Sequence, residues 1–568
     1  MVLQKVIFQK SSHPELYFRG GRAERGELLL KRGEHSRLDT YFGCFSYPVY
    51  ARYTTAGEIT LTVSLRGKAK VSLCHFDGER ETVLSFAEVA WGELGLSCNI
   101  TELSPLGIIY PVIEAESATF VGRVCYETEA EGKDIRAAIA FCTYKREAAI
   151  KNNIKILTDK MPRGICEILV IDNGQTLADD ISSDKVTLFK NRNAGGSAGF
   201  TRGIIEAKRR GFSHVVLMDD DVEVFPESLE RMTAILSLLR PEYEGAHISA
   251  AMLYETEPYR QHELGARLDK DKITSLKIGL DLRDRASLIE NLREEGAQYG
   301  AWWCFCLPLS DACEHGLPMP YFIKFDDVEY GLRTCSERAP IITLNGVAVR
   351  HEDFDLKYSP HLEYYNIRNN LITCSLHGRA SLSSVLSRLL RSVGKSILLY
   401  RYDAALIMLR GFSDYLKGEE NLEKTDAEAL NKELIRSAPK VTKVTRSDIS
   451  LERRERRGAS FFKKIAILLT LGGHLIPSFL LRKELSVTPY RITAVNDVFL
   501  RRESLQYKSA QEGYLFRRSF LKFLKCMALS AAVLIKALFC FGKAKRSYLK
   551  ALPYLSSEEF WNSYLNLK

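Results

Sequence analysis

No regular cysteine spacing runs through this chain. Its 13 cysteines are scattered among 568 residues, which excludes the disulfide framework of a small secreted domain and leads us to expect a reducing, cytoplasmic setting. The first residues lack the basic-then-apolar pattern of an export signal, which supports the same expectation. No apolar run reads as a clean membrane span. Gly472, Gly473, His474 and Pro477 interrupt Ile465 to Leu481, and Lys522, Lys525 and Lys536 interrupt Phe520 to Phe541. The glycine-rich stretch Asn193 to Gly203 has no following GK[ST], which excludes a P-loop. Ser197 stands where a GxGxxG pattern starting at Gly195 needs its second glycine, which excludes a dinucleotide fingerprint. The net charge of +9 comes without a nucleic-acid recognition motif, so nucleic acid is not an expected partner.

What is present divides into three regions. With 46% hydrophobic and 27% charged residues the chain can bury several cores. Residues 1–130 carry period-two apolar runs, such as Glu58 to Leu65 and Thr119 to Cys125, broken by glycine-containing turns; they predict an N-terminal antiparallel β-sandwich. After a polar linker at Thr128 to Asp134, residues 135–375 alternate strand-like runs with helical segments, the pattern of a mostly parallel α/β sheet. Residues 376–568 read as a helical, basic domain. Arg453 to Arg457 precedes one apolar stretch, and the apolar segments fit either core helices with solvated basic faces or an amphipathic surface resting on anionic lipid.

Three consecutive carboxylates, Asp219, Asp220 and Asp221, follow the apolar run His214 to Met218, where a buried strand emerges into a crevice. Such crowding is costly unless a divalent cation, basic groups or open solvent offsets it, so a metal-phosphate site and a solvated loop are both open readings. The glycines upstream would let backbone amides approach a ligand, and the helix they lead into would offer its N-terminal N–H groups to an anion; they equally suit a structural turn. Cys304, Cys306, Cys313 and His315 do not have a common zinc spacing, and Cys304 and Cys306 fit one face of a buried strand.

Taken in order, Asn193 to Gly203, Asp219-Asp220-Asp221, Tyr299-Gly-Ala-Trp302-Trp303, Phe322-Ile-Lys-Phe-Asp326-Asp327-Val-Glu-Tyr330 and His351 form a specific set. The set resembles the inverting nucleotide-sugar glycosyltransferases of the GT-A fold, and within them the galactofuranosyltransferases that polymerise cell-wall galactan. It is dense over residues 137–370. The resemblance implies an α/β GT-A domain with Mn²⁺ or Mg²⁺ held by Asp219, Asp221 and His351, and an imidazole ligand favours Mn²⁺. It implies Asp327 as the base that deprotonates the acceptor hydroxyl, with Asp326, Tyr299, Trp302 and Trp303 toward the sugar or acceptor. It also implies donor-nucleotide contacts at Thr143, Arg146, Asp172, Asn193, Gly195, Gly196, Arg202 and Asp220. If the tryptophans lie on a strand, their side chains point to opposite sides and at most one is a sugar platform. Asp326 and Asp327 are neighbours whose side chains diverge, which suits a transferase base better than a hydrolase's opposed pair.

The implied reaction is metal-dependent, inverting transfer of galactofuranose from UDP-galactofuranose to a lipid-linked or cell-surface polysaccharide acceptor, at the cytoplasmic face of the membrane, with a homo-oligomer in keeping with the family. A rhamnosyltransferase using a dTDP-sugar, and a catalytically silent glycan-binding scaffold, are the alternatives. The sequence departs from the family at Ala194, Ala198, Gly300-Ala301 and Phe325, which bears on acceptor and linkage more than on the chemistry.

Overall fold

A computed structural model describes residues 1–353, 359–445 and 461–567; the basic run Arg453 to Arg457 lies outside them. The chain divides into two compact units, one of Met1–Pro318, Asp327–Glu352 and Ser556–Lys568, the other of Met319–Asp326 and Asp353–Leu555.

In the first unit the period-two runs are antiparallel strands, and hydrogen bonding joins eight of them into one connected network. Strand length is the reason. Glu58–Phe76 and Glu81–Asn99 are 19 residues each and pair along their whole length, while the other edge of Glu58–Phe76 serves Thr119–Glu127 with its first half and Ile108–Ala115 with its second. Ile59, Leu61, Val63 and Leu65 alternate into the core.

The α/β region follows in the same unit. Along it run β1 (Ala137–Thr143), α1 (Glu147–Asp159), β2 (Ile165–Asp172), β3 (Val186–Lys190), α2 (Gly195–Arg209), β4 (His214–Asp219) and β5 (Val222–Val224). Then come β6 (His247–Ser249), β7 (Ala251–Tyr254), β8 (Gln261–Glu263), β9 (Cys304–Pro308), α3 (Asp326–Thr334), β10 (Ile341–Ile342) and β11 (Ala348–His351). The main sheet has the order β3-β2-β1-β4-β9-β6-β10, with β3, β2, β1 and β4 parallel and β9 antiparallel to both its neighbours. Its central strands are continuous apolar runs because helices cover both faces: Ala137 to Phe141, Ile168 to Ile171 and Val215 to Met218 are fully buried. A second sheet, β5-β11-β7-β8, carries the chain just beyond β4. Order reversal beside β1 places the ligand crevice at the carboxyl ends of β1 and β4.

Helix α2 lies against β1 at a distance only glycine permits. A Cβ on Gly203 would come within 2.5 Å of the Ala140 Cβ, and one on Gly199 would overlap the Cys142 sulfur.

The second unit is mostly helical. It holds α4 (Glu363–Leu376), α5 (Leu382–Leu398), α6 (Tyr402–Tyr415), α7 (Phe461–Leu469) and the 36-residue α8 (Phe520–Leu555). It also holds a four-stranded sheet over residues 442–517 that the helical reading did not anticipate. Buried residues on α8 recur at Phe523, Cys526, Ser530, Val533, Ala537, Ala544 and Tyr548, a seam of threes and fours against α4, α5 and α6. Its other faces are apolar and exposed: Leu521, Ile535, Leu538 and Phe539 are more than half accessible. By length and composition α8 is able to cross a membrane, yet its lengthwise seam is that of a helix packed on protein.

Candidate active site

The acidic run begins where β4 ends, and the sheets fix what surrounds it. Strand β5 starts right after Asp221 and pairs with β11 so that Val222 faces His351. Asp219, Asp221 and His351 each turn a ligand atom inward, all within 4.8 Å of one another. The turn is braced from below. Asn153 of α1, 2% exposed, donates to the carbonyls of Asp220 at 3.0 Å and Val222 at 2.9 Å, a brace that an asparagine in an amphipathic helix does not advertise in sequence.

Imidazole chemistry tests whether the cluster fits a metal. His351 is 3% exposed and its Nδ1 lies 2.6 Å from the Glu352 carbonyl, which can only accept, so Nδ1 carries the proton. In the neutral ring Nε2 is then a lone pair, facing Asp221 Oδ1 at 3.3 Å. Carboxylate oxygens with an imidazole nitrogen oriented by a carbonyl are a donor set that suits Mn²⁺ or Mg²⁺. Asp220 points elsewhere. It is buried beside the Thr143 hydroxyl, and burial raises its pKa above the ordinary carboxylate value. Arg146, just before α1, ion-pairs with Asp221 and lies 3.8 Å from Asp220.

Tyr299, expected toward the sugar or acceptor, packs against α3. Gly331 of α3 has no room for a side chain, since a Cβ there would come within 2.8 Å of the Tyr299 Cα. Asp327 lies one helical turn before Gly331. Burial, then the charges of Asp327 and Glu263, hold the Tyr299 hydroxyl well above its ordinary pKa. Asp327 is partly exposed and caps its own helix, Oδ1 accepting from the Val328 amide at 2.8 Å. Asp326 is largely buried and belongs to the other compact unit, together with Lys324 and Phe325, two consecutive residues at φ +68° and +71°. Left-handed backbone at two non-glycine residues is strained. Asn369 holds it, donating to the Ile323 and Lys324 carbonyls at 3.0 and 2.9 Å.

Trp302 and Trp303 occupy the turn before β9, not a strand, and both are largely buried. The expected strand alternation therefore does not apply to them. Trp302 packs edge-on between Phe200 of α2 and Tyr330 of α3. Trp303 donates its indole N–H to the Ala250 carbonyl at 3.0 Å, and its own carbonyl accepts from the Asp219 amide at 3.3 Å. His262, hydrogen bonded to Tyr254 at 2.9 Å, faces the Trp303 ring edge-on; neither His262 nor Glu263 stood out in the sequence.

Among the donor-side residues the glycine bend is tied down as a unit. Gly195 has φ +87°, its amide lies 3.3 Å from the Asn193 side-chain oxygen, and its carbonyl accepts from Asn173 at 3.0 Å; Gly196 follows in the first turn of α2. Asp172 is fully buried, its two oxygens accepting from the Gly174 and Leu177 amides at 2.9 and 2.8 Å, so it shapes the loop. Arg202 pairs with Glu206 of its own helix at 2.9 Å and stacks on Phe189. Cys304 and Cys306 are buried on β9, and the Asp219–Asp221–His351 group is the single metal-competent cluster among the described residues.

The parallel sheet thus ends in a carboxylate-imidazole cluster with a glycine-bent helix beside it. Residues 138–276 match the family described as Glycosyl transferase family 2. The matched segment runs from β1 past β8 and holds the glycine bend and the three consecutive acids.

The chain has curated relatives that are narrower in name. It is 26% identical over 431 residues to Galactofuranosyltransferase GlfT2 of Mycolicibacterium smegmatis, covering 69% of this chain and 66% of that protein. It is 24% identical over 471 residues to Galactofuranosyltransferase GlfT2 of Mycobacterium tuberculosis, covering 74% and 73%. The chain thus spans just under two thirds of the first relative's length. Among solved structures, mannosyl-3-phosphoglycerate synthase from Rubrobacter xylanophilus aligns at 14% identity and TM-score 0.28, covering 44% of this chain and 76% of that one. Glucosyl-3-phosphoglycerate synthase from Mycobacterium tuberculosis aligns at 14% and 0.28, covering 44% and 81%.

Proposed function

We propose that this glycosyltransferase moves galactofuranose, with inversion, from UDP-galactofuranose to a lipid-linked or cell-surface polysaccharide acceptor. The observation that carries the reading is the Asp219–Asp221–His351 cluster with the Asp327–Tyr299 pair, in the order the galactofuranosyltransferase resemblance requires.

Asp219, Asp221 and His351 would hold Mn²⁺ or Mg²⁺, which supplies Lewis acidity toward the departing diphosphate. Arg146 and the α2 N-terminus, with Thr143, Asn193, Gly195, Gly196 and Asp220 around them, cradle the nucleotide and its phosphates. Asp172 and Arg202 act by shaping that cradle. Asp327 takes the proton from the acceptor hydroxyl as its oxygen attacks the anomeric carbon on the face opposite the diphosphate. Tyr299 positions sugar hydroxyls, a role the resemblance also gives to Asp326. Trp302 and Trp303 support the site from beneath. A single base suffices for an inverting transfer, and no covalent intermediate is needed.

The acceptor's lipid and the exposed apolar face of α7 and α8 belong to the same reading. Phe462, Leu468, Leu521 and Phe539 are each more than 70% exposed, among lysines and arginines, which suits peripheral contact with an anionic membrane at its cytoplasmic side, with the chain as a homo-oligomer. Residues 1–130, 135–375 and 376–568 serve as scaffold, catalytic and membrane-facing regions in this scheme.

The test is nucleoside diphosphate release with Mn²⁺ and a panel of UDP- and dTDP-sugars, with and without a galactan oligosaccharide. Acceptor-dependent UDP release from UDP-galactofuranose is expected. Release from a dTDP-sugar alone would transfer the assignment to rhamnose, and no turnover with any donor would favour the silent scaffold. Co-sedimentation with anionic vesicles that falls as salt rises is the expected membrane result.

A further inference from the structure

Resting on the metal reading just given, we propose that Arg146 is a resident counter-cation of the carboxylate cluster. It opposes entry of a divalent ion alone and becomes a favourable partner once the donor diphosphate is present, so that ion and nucleotide bind as a coupled pair.

The geometry divides Asp221 between two groups. One carboxylate oxygen meets the Arg146 guanidinium and the other faces His351 Nε2 at 3.3 Å. The same guanidinium lies 3.8 Å from Asp220, so one arginine screens two of the three acids. Lys145, at φ +57° in the short loop between β1 and α1, kinks the backbone next to Arg146, which stands at the N-cap of α1. The Arg146 side chain is 44% exposed and has solvent to move into. Arg350, the neighbouring cation on β11, pairs with Glu223 at 2.6 Å.

Electrostatics then sets the order of events. An ion entering beside Arg146 meets a like charge a few ångströms away in a partly desolvated crevice, where such repulsion is stronger than in water. A diphosphate reverses the sign, because its oxygens attract both the ion and the guanidinium, and arginine's planar fork suits two phosphate oxygens at once. Linkage makes the effect reciprocal: the factor by which nucleotide tightens the ion is the factor by which the ion tightens nucleotide.

The experiment measures Mn²⁺ binding to the full chain by the paramagnetic resonance of free Mn²⁺ and by calorimetry, with and without UDP. We compare the native protein with Arg146→Met, Arg146→Gln and the charge-keeping Arg146→Lys. Expected are Mn²⁺ binding without nucleotide about tenfold tighter in Arg146→Met and Arg146→Gln, a UDP-induced gain in Mn²⁺ affinity about tenfold smaller in both, and near-native behaviour in Arg146→Lys. Circular dichroism with Mn²⁺ present confirms folding, and the two neutral variants guard against one failing. Unchanged or weaker Mn²⁺ binding in the neutral variants, or an intact UDP-induced gain, overturns the role of Arg146 alone. No Mn²⁺ binding in any protein, with or without UDP, overturns the metal reading and this proposal together.

Discussion

The molecule carries two acidic clusters built in opposite ways. The Asp219–Asp221 run emerges from a buried strand, and its position is dictated by sheet register: β4 leads into it, β5 follows it, and pairing with β11 delivers His351. The Asp326–Asp327 pair opens a nine-residue helix directly after two left-handed residues, and its position depends on side-chain packing at Gly331 and on two hydrogen bonds from Asn369. Many backbone bonds hold the first cluster, and a few local contacts hold the second. Ion binding needs fixed ligands, and strand register provides them. In the proposed function the second cluster supplies the base, which would have to meet a bulky acceptor.

That contrast breaks most sharply at the base. Asp327→Asn should lower turnover by about 10³-fold, within the range for loss of a general base, while UDP and Mn²⁺ binding stay near native; calorimetry beside the release assay separates the two. Asp221→Ala should do the reverse in binding. Mn²⁺-dependent UDP affinity should fall by about tenfold or more, and chelation of the native enzyme should reproduce the loss. Unchanged UDP titration would remove Asp221 from the ligand set.

Smaller effects sharpen the distinction. Gly331→Ala forces α3 away from Tyr299 and should cost about 1–3 kcal/mol of stability, with turnover falling more than donor affinity. Asn153→Ala leaves two buried carbonyls unpaired under the acidic turn, costing about 1–3 kcal/mol, with metal affinity falling more than turnover at saturating metal. Thermal melts and Mn²⁺ titrations of both variants give the contrast directly. Asn369→Ala should have the smallest effect on binding. It frees the strained turn, so its expected signature is faster amide exchange at Lys324 to Asp327 with Mn²⁺ affinity unchanged.

Legibility in the sequence followed the same divide. An apolar run ending in three acids marks a strand end by local pattern alone, and the glycine bend before it was equally plain. The structure adds that Gly199 and Gly203 answer to contact with Ala140 and Cys142, a tertiary demand that no local pattern displays. His351 was linked to the acids through family order, because its pairing with Val222 spans more than a hundred residues. The tandem tryptophans looked like strand and are a turn, since bulky aromatics report burial more readily than backbone state. Strands of two to six residues in the second unit escaped notice because a polar stretch that short has no usable periodicity. Asn153 and Glu263 escaped because single polar residues gain meaning only from what faces them.

The chain has four tryptophans, and two of them, Trp302 and Trp303, sit beneath the site, the second joined by its carbonyl to the Asp219 amide. An ion held by the proposed cluster would therefore lie near two indoles, and the expected result is that paramagnetic Mn²⁺ quenches tryptophan emission where diamagnetic Mg²⁺ leaves it bright.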